Sequence, residues 1–409
     1  MTISRKWAVI VLLFFGVLIS YVDRGNLSIA AVPLMKDFQM SPASMGTLLS
    51  SFFWTYAFFQ LPAGYLVDRF GMRMTYGLAF VFWSLASTAT GFATSAGQIL
   101  AARLALGMGE AVAPLASMAF IKQNFNDQQR GLPTAIYISG MTLGPAIGAF
   151  AGTALLEWYG WRMMFIVTGV VGCVWLLPWL LVAPKGTAAT SSSHAVATGP
   201  VNYSRVFGTS IFWALTLSIF VYSYFWYFVL TWVPSYLMIA HGFSTLKMGA
   251  TVGIPLVIMA GVSLVSGTLS DWAASKGGSA LAVRRMFVCS GFIVASSVLS
   301  LLVITNRELV LPIFIVSLCG LGIAGGNYWA MSQMVSPPSL IGRTIGYQNT
   351  IAQIAGVVAP ILTGFLLGPT KDFTTAIIVA GLCPLIAAAT VFVLLRQSGI
   401  EKFHASLGY

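Results

Sequence analysis

Twelve apolar windows, each long enough to cross a bilayer as a helix, divide this chain. They fall at about 7–35, 45–66, 72–92, 97–120, 132–155 and 161–182, and then at about 210–238, 248–270, 284–304, 310–333, 342–366 and 373–396. A hydrocarbon core about 30 Å thick takes about 20 helical residues. Inside it every backbone polar group must be bonded within the chain, which leaves helices and closed barrels as the only spanning structures. Windows of this length read as helices. Of the 409 residues, 58% are hydrophobic and only 8% charged, against about 25% charged in soluble domains. The expected fold is an all-α integral membrane protein with twelve transmembrane helices.

The windows fall into two sets of six. Between them Pro184 to Pro200 is rich in Ser, Thr, Ala and Gly, which is linker composition. The expected organisation is a six-helix bundle over 1–183, a linker over 184–205 and a second six-helix bundle over 206–409. The halves echo each other. After the second window comes Gly64-Tyr-Leu-Val-Asp68-Arg69-Phe-Gly71-Met-Arg73; after the eighth comes Gly267-Thr-Leu-Ser-Asp271. Arg130-Gly131 before the fifth is matched by Gly342-Arg343 before the eleventh. The fifth and eleventh are both studded with Gly and Pro: Gly140, Gly144, Pro145, Gly148 and Gly152 against Gly346, Gly356, Pro360 and Gly364. Small residues at helix interfaces and parallel repeats suit two pseudo-symmetric bundles that rock about a central site.

Loop charge sets the orientation. Fourteen of the 21 lysines and arginines lie on the side of the two termini and five on the other; the remaining two, Arg24 and Arg103, lie inside windows. The positive-inside rule places both termini in the cytoplasm. The net charge of +11 is thus a topology signal, and no basic stripe interleaved with aromatics points to nucleic acid. Arg5 and Lys6 before an apolar run superficially resemble a signal peptide, but the run continues through Asp23 and Arg24 with no small-residue cleavage site, so it reads as a retained helix. Cys173, Cys289, Cys319 and Cys383 all sit in apolar runs without metal-ligand spacing, and read as small core residues.

Against this background the charges inside the windows stand out. From Trp7 to Asp23 is about 24 Å of helix, so Asp23 and Arg24 lie past the midplane. A charge there costs about 2.5 kcal/mol or more and marks a functional site by default. The fourth window carries Arg103 and Glu110, seven residues apart and therefore on one helix face. The four charges sum to zero, as buried charges should. Asp23 and Arg24 are about 100° apart on a helix, so only one of them can face a cavity. A planar guanidinium meets a carboxylate bidentately, which makes Arg24 the candidate to grip an anion. Burial penalises the charged form of a carboxyl group, so Glu110 and Asp23 are the proton-coupling candidates, with Arg103 tuning them. A static ion pair between helices is the competing reading of Arg103 and Glu110. Tyr21 shares the face of Arg24. Tyr56 lies in the second window, Asn327, Tyr328 and Trp329 follow Gly325-Gly326 in the tenth, and Gln348, Asn349 and Gln353 place amides in the eleventh.

The loop Gly64…Asp68-Arg69…Gly71…Arg73, with its truncated copy at Gly267 and Asp271, resembles the signature of the major facilitator superfamily. That resemblance implies a conformational latch at Gly64, Asp68, Arg69, Arg73 and Asp271. Within the superfamily the chain resembles the anion:cation symporters, a group that includes bacterial sugar-acid carriers. The residues that carry this are Tyr21-Val-Asp23-Arg24-Gly-Asn26-Leu-Ser28, Arg103-Leu-Ala-Leu-Gly107-Met-Gly109-Glu110, Gly160-Trp161-Arg162 and Thr231-Trp232-Val-Pro234-Ser-Tyr236. The resemblance implies a proton-coupled symporter, sufficient as a monomer, that imports a small organic anion through a bacterial inner membrane. A sugar acid (hexonate, hexuronate or aldarate) is the implied substrate. Arg24, Tyr21, Tyr56, Trp329 and Asn349 are the implied substrate contacts, and protons replace any cofactor. Met141 stands where a sugar-acid carrier places a polar amide, and Pro114, Met118 and Met331 are expected on inward faces, which also suits a smaller or less polar anion.

Two other functions compete. The run Gly131 to Ala149 resembles a fifth-helix signature of proton-coupled drug exporters, although its physical content is close packing and a bend, and an exporter has less need of Arg24. An enzyme or a sensor finds little support: the histidines, His194, His241 and His404, fall in the linker, a loop and the tail, and no metal cluster or nucleophile–base pair is spaced for chemistry.

Overall fold

The structure, a computed structural model, describes residues 3–126, 129–184, 209–276, 279–304, 306–335 and 341–395, and for residues 341–343 the backbone alone. The expected linker beyond Pro184, the charges Lys185, Arg205, Arg396 and Lys402, the side chain of Arg343, and His194 and His404 lie outside the described residues.

Every window is helical among the described residues. The helices are α1 (Ile3–Ile29), α2 (Ala31–Asp37), α3 (Pro42–Phe70), α4 (Met72–Gly91), α5 (Ala96–Glu110), α6 (Val112–Asn124) and α7 (Gly131–Val182). They are followed by α8 (Ser210–Ile239), α9 (Thr245–Ser275), α10 (Ala280–Ala295), α11 (Val310–Val335), α12 (Ile341–Leu367) and α13 (Thr374–Leu394). The starts are chemically marked. Ser41, Ser95 and Ser279 each accept a backbone N–H from three residues on, and Pro42 follows Ser41. The first window breaks at Ala30 into α1 and α2, and the fourth at Ala111 into α5 and α6. The fifth and sixth windows run together as α7, with Gly160 at φ 77° making the turn between them.

The described residues that fall within Met1–Ser192, Leu230–Gly253 and Pro360–Lys371 form one compact unit, and those within Ser193–Val229, Ile254–Ala359 and Asp372–Tyr409 form a second. Two pieces of the second half thus pack inside the first unit. There Trp232 Nε1 donates to Pro360 O at 3.0 Å, and Gly46 backs onto the same carbonyl so closely that a Cβ would collide with it.

The first unit is built around an aromatic stack. Phe80 lies 4.0 Å from Trp175, nearly parallel, and Trp175 lies 5.0 Å from Trp179. Both indoles are tied to backbone: Trp175 Nε1 to Leu12 O and Trp179 Nε1 to Arg73 O, each at 3.0 Å. This binds α1, α4 and α7 together. At the far end of these helices Trp161 donates to Asp37 at 2.8 Å, and Arg162 donates to Ala93 O at 2.7 Å while lying over the Trp161 ring. The Gly-Trp-Arg motif is therefore a corner brace. In the second unit Tyr328 donates to Leu215 O at 2.9 Å in a core that includes Phe292, Met331 and Val391. Met331 is wholly buried there. Its neighbours in that core come from α8, α10, α12 and α13.

Candidate functional site

Glycines bring the site helices together. α7 lies against α1 with Gly144 at Tyr21; a Cβ at Gly144 would stand 2.6 Å from the Tyr21 Cβ. α5 lies against α3 with Gly107 on the backbone of Phe52 and Tyr56, where a Cβ would collide with the Phe52 carbonyl. Small residues at such crossings let helix backbones approach. The rings of Phe52 and Tyr56, one turn apart on α3, stack at 5.1 Å.

Arg24 stands among these rings. Its guanidinium carbon is 4.5 Å from the centre of Tyr21, 4.5 Å from Phe52 and 4.7 Å from Tyr56. A cation over an aromatic face gains about 0.5–2 kcal/mol, more when water is excluded. Nε of Arg24 donates to Glu110 Oε2 at 2.6 Å, and Ser20 Oγ donates to the same oxygen at 2.7 Å. Glu110 is fully buried, whereas the Arg24 side chain keeps 14% of its surface exposed. The ion pair uses Nε, and the Tyr21 hydroxyl lies within hydrogen-bonding reach of the same guanidinium.

Asp23 turns the other way, as its 100° offset requires. Its Oδ1 accepts from Ser87 Oγ at 2.8 Å on α4. Arg103 reaches not the carboxylate but the Asp23 main chain, with Nη1 donating to Asp23 O at 3.2 Å and the guanidinium 5.5 Å from the Phe52 ring. Tyr21, Asp23, Arg24, Tyr56, Arg103 and Glu110, all expected from the sequence, therefore meet in one place in the first unit. Ser20, Phe52 and Ser87 belong to it as well. The signal for Phe52 was its i, i+4 relation to Tyr56 on a helix face; for Ser20, its position four residues before Arg24.

Trp329 and Asn349 belong to the second unit. Trp329 is half-buried and meets Tyr328 edge-on at 5.5 Å. Asn349 is exposed on α12, one turn from Gln353, which accepts from Tyr227 at 3.5 Å. Gln348 is buried and accepts from Ser332 at 2.8 Å.

At the expected latch, Gly71 turns the chain at φ 76°. Gly64 lies one helical stretch earlier on α3, with only Leu115 near it. Arg69 Nη1 donates to Tyr65 OH at 2.8 Å, Arg73 Nη2 donates to Leu180 O, and Asp68 is exposed. Asp271, in the second copy, pairs with Arg284 at 2.6 Å. Arg284 also lies 3.4 Å from Ser270 Oγ and 3.5 Å from Asn327 Oδ1, and Asn327 donates to Ser266 at 2.9 Å. Among the described residues no group of three or more His, Cys, Asp and Glu could hold a metal, and the cysteines are free.

Residues 13–360 match the Major Facilitator Superfamily. The chain is 29% identical to the "Probable L-galactonate transporter" of Escherichia coli K12, over 95% of this chain and 89% of that protein. It is 30% identical to the hexuronate transporter of Bacillus subtilis, over 96% and 95%, and 28% identical to the D-galactonate transporter of E. coli O6:H1, over 95% of both. In fold it is similar to a bacterial homologue of the human lysosomal transporter Spinster, solved inward-facing and unoccupied, with a TM-score of 0.81 and 17% identity over 100% of this chain and 99% of that one. A multi-pass helical membrane protein with this match over most of its length belongs to the major facilitator superfamily, a family of transporters and not of enzymes.

Proposed function

We propose that the protein is a proton-coupled symporter that imports a sugar acid by alternating access. The observation that carries this reading is Arg24: a partly exposed guanidinium held among three aromatic rings, with Nε on the buried Glu110. The anion's carboxylate docks on the Nη edge. A proton on Glu110 or Asp23 compensates the added charge and loosens the hold of Glu110 on Arg24. Tyr21 and Tyr56 flank the anion, and Trp329 and Asn349 contact it from the second half. The latch residues Gly64, Asp68, Arg69, Arg73 and Asp271 act in resetting the carrier. The transporters of galactonate and hexuronate named above support a polyhydroxy acid as cargo.

The lysine and arginine distribution supports cytoplasmic termini, and the bacterial relatives support an inner membrane. The cycle needs no cofactor besides the proton, and a monomer suffices for it. The fifth-window glycines that also suit an exporter are used here to seat α7 on α1, so they add nothing in favour of export.

The test is uptake into liposomes of radiolabelled galactonate, glucuronate and glucarate under an inward proton gradient. Accumulation of one acid above equilibrium by the wild type, with Glu110→Gln exchanging that acid without concentrating it, is the expected result. Failure of every acid to accumulate, with lipophilic cations moving against the gradient instead, would favour the exporter.

A further inference from the structure

Arg284 on α10 joins three helices of the second unit with a guanidinium that is only partly used. Nη2 donates to Asp271 Oδ1, near the end of α9, at 2.6 Å. Nη1 stands 3.4 Å from Ser270 Oγ, also on α9, and 3.5 Å from Asn327 Oδ1 on α11. Both contacts are at the long limit of a hydrogen bond. Nε is buried and has no partner among the described residues. A guanidinium carries five N–H donors, so one bond of ordinary length leaves most of them under-used. Buried donors in that condition ask for an explanation.

The two ends of this contact differ. The Asp271 side chain is 68% exposed and that of Arg284 18%, whereas Asn327 and Ser270 are buried. Asn327 is also fixed: its amide nitrogen donates to Ser266 Oγ at 2.9 Å and to Ile323 O at 3.0 Å, and its oxygen faces Arg284. One side chain thus runs from a wet carboxylate at the end of α9 to a dry amide inside α11. Asn327 directly follows Gly325 and Gly326. Glycine is the weakest helix former after proline, so a pliant turn precedes Asn327. A Cβ at Gly326 would meet open space, while one at Gly325 would stand 2.7 Å from the Tyr222 hydroxyl. Trp329, two residues on, lies about 200° round the helix from Asn327. A pull on Asn327 is therefore delivered to Trp329 on the other face.

We propose that Arg284 is a positioning residue that couples Asp271 to Trp329 through Asn327. The coupling rests on the roles given above to Asp271 in the latch and to Trp329 at the substrate. Two arrangements of one guanidinium carry it. With Asp271 in place, Nη2 stays at the end of α9 and Nη1 holds Asn327 loosely. When Asp271 is withdrawn, the guanidinium turns inward and closes on Asn327 Oδ1 and Ser270 Oγ, which engages donors that are idle now. The end of α9 and the Trp329 stretch of α11 then change together, as the two discrete packings of a switching element do.

The test is a mutant cycle in liposomes, read as apparent KM and maximal rate for exchange of radiolabelled galactonate, glucuronate and glucarate. Asp271→Ala is expected to change the KM of the exchanged acid by about threefold or more, as for residues within one network. In an Arg284→Met background, and in an Asn327→Leu background, the same substitution is expected to leave KM where it was, because the link is already cut. Ser266 has Ile323 O as a second partner at 3.2 Å, so the leucine does not strand it. A KM effect of Asp271→Ala that persists undiminished in either background overturns the coupling and leaves the latch standing. A lower maximal rate with KM unmoved in Asp271→Ala also overturns it, since the aspartate then acts without reaching the substrate side. Failure of the wild type to exchange any of the three acids removes the sugar-acid reading and the coupling with it. If Arg284→Met does not fold, Arg284→Gln is read by the same criteria.

Discussion

Arg24 Nε lies 2.6 Å from Glu110 Oε2, and this pair links α1 to the last residue of α5. Removing one member of a buried pair leaves an uncompensated charge, at a cost of about 3–5 kcal/mol. Glu110→Ala is therefore expected to lower the detergent melting temperature well below that of Glu110→Gln, which keeps an oxygen for Arg24 and Ser20. Arg24→Ala/Glu110→Ala should recover part of the loss. Equal melting of Glu110→Ala and wild type would deny the pair any structural weight.

Arg24→Lys keeps the charge and loses the fork. A lysine cannot hold Glu110 and a substrate carboxylate on two edges at once. Anion exchange is expected to fall by about tenfold or more, equivalent to about 1.4 kcal/mol, measured as initial exchange rate at fixed substrate. A lysine variant with wild-type exchange would show that charge alone is read.

Gly107 is the point at which α5 touches the α3 backbone under the rings of Phe52 and Tyr56. A methyl group there forces the helices apart, at about 1–3 kcal/mol. Gly107→Ala should lower both thermal stability and substrate affinity. Gly131, with open space around it, is the control at which alanine should change neither.

The Asp271–Arg284 pair is short, yet the Asp271 side chain is 68% exposed. Exposed pairs are worth about 0–1 kcal/mol. Asp271→Asn should leave the melting temperature within a degree or two, about 0.5 kcal/mol, while slowing the transport cycle if the latch reading holds. Stability and turnover measured on one preparation separate the two effects.

Asp372 stands before α13 in a loop, and Thr374 donates to it through both N and Oγ1, at 2.9 and 2.7 Å. These bonds hold its carboxyl below the usual range. A depressed folded-state value means the stabilisation is present above the unfolded value and is lost as pH falls through the folded one. The melting gap between wild type and Asp372→Ala should narrow in acid and stay constant through neutral pH.

The windows and the two charged pairs inside them were legible in the sequence because each rests on a strong local rule: apolar length, or the cost of a buried charge. Tyr21 and Tyr56 were legible from helix spacing and resemblance together. The partners of the charges were not. Nothing local says that Arg103 seeks the Asp23 carbonyl rather than a carboxylate, or that Ser87 rather than Arg103 meets the Asp23 side chain, because those choices depend on helix rotation set by glycine contacts far along the chain. The breaks at Ala30 and Ala111 escaped for a similar reason: neither carries the glycine that marks Gly160. Trp232 read as part of a family pattern, and only its bond to Pro360 shows that it holds 230–253 and 360–371 within the first unit.

The four charges of the site sum to zero, and this governs how the membrane voltage acts on a loaded carrier. With one proton and a monovalent acid aboard, the sum stays zero, and the voltage neither drives nor opposes the loaded step. A divalent acid with one proton leaves one negative charge to move against an inside-negative potential, at about 2.3 kcal/mol per 100 mV for a full crossing; a second proton would cancel it, and Asp23, buried with Oδ2 unpartnered, is the second carboxylate available. The valence of the acid and the number of protons that accompany it together fix whether transport is electrically silent, a property readable as current across a single planar bilayer.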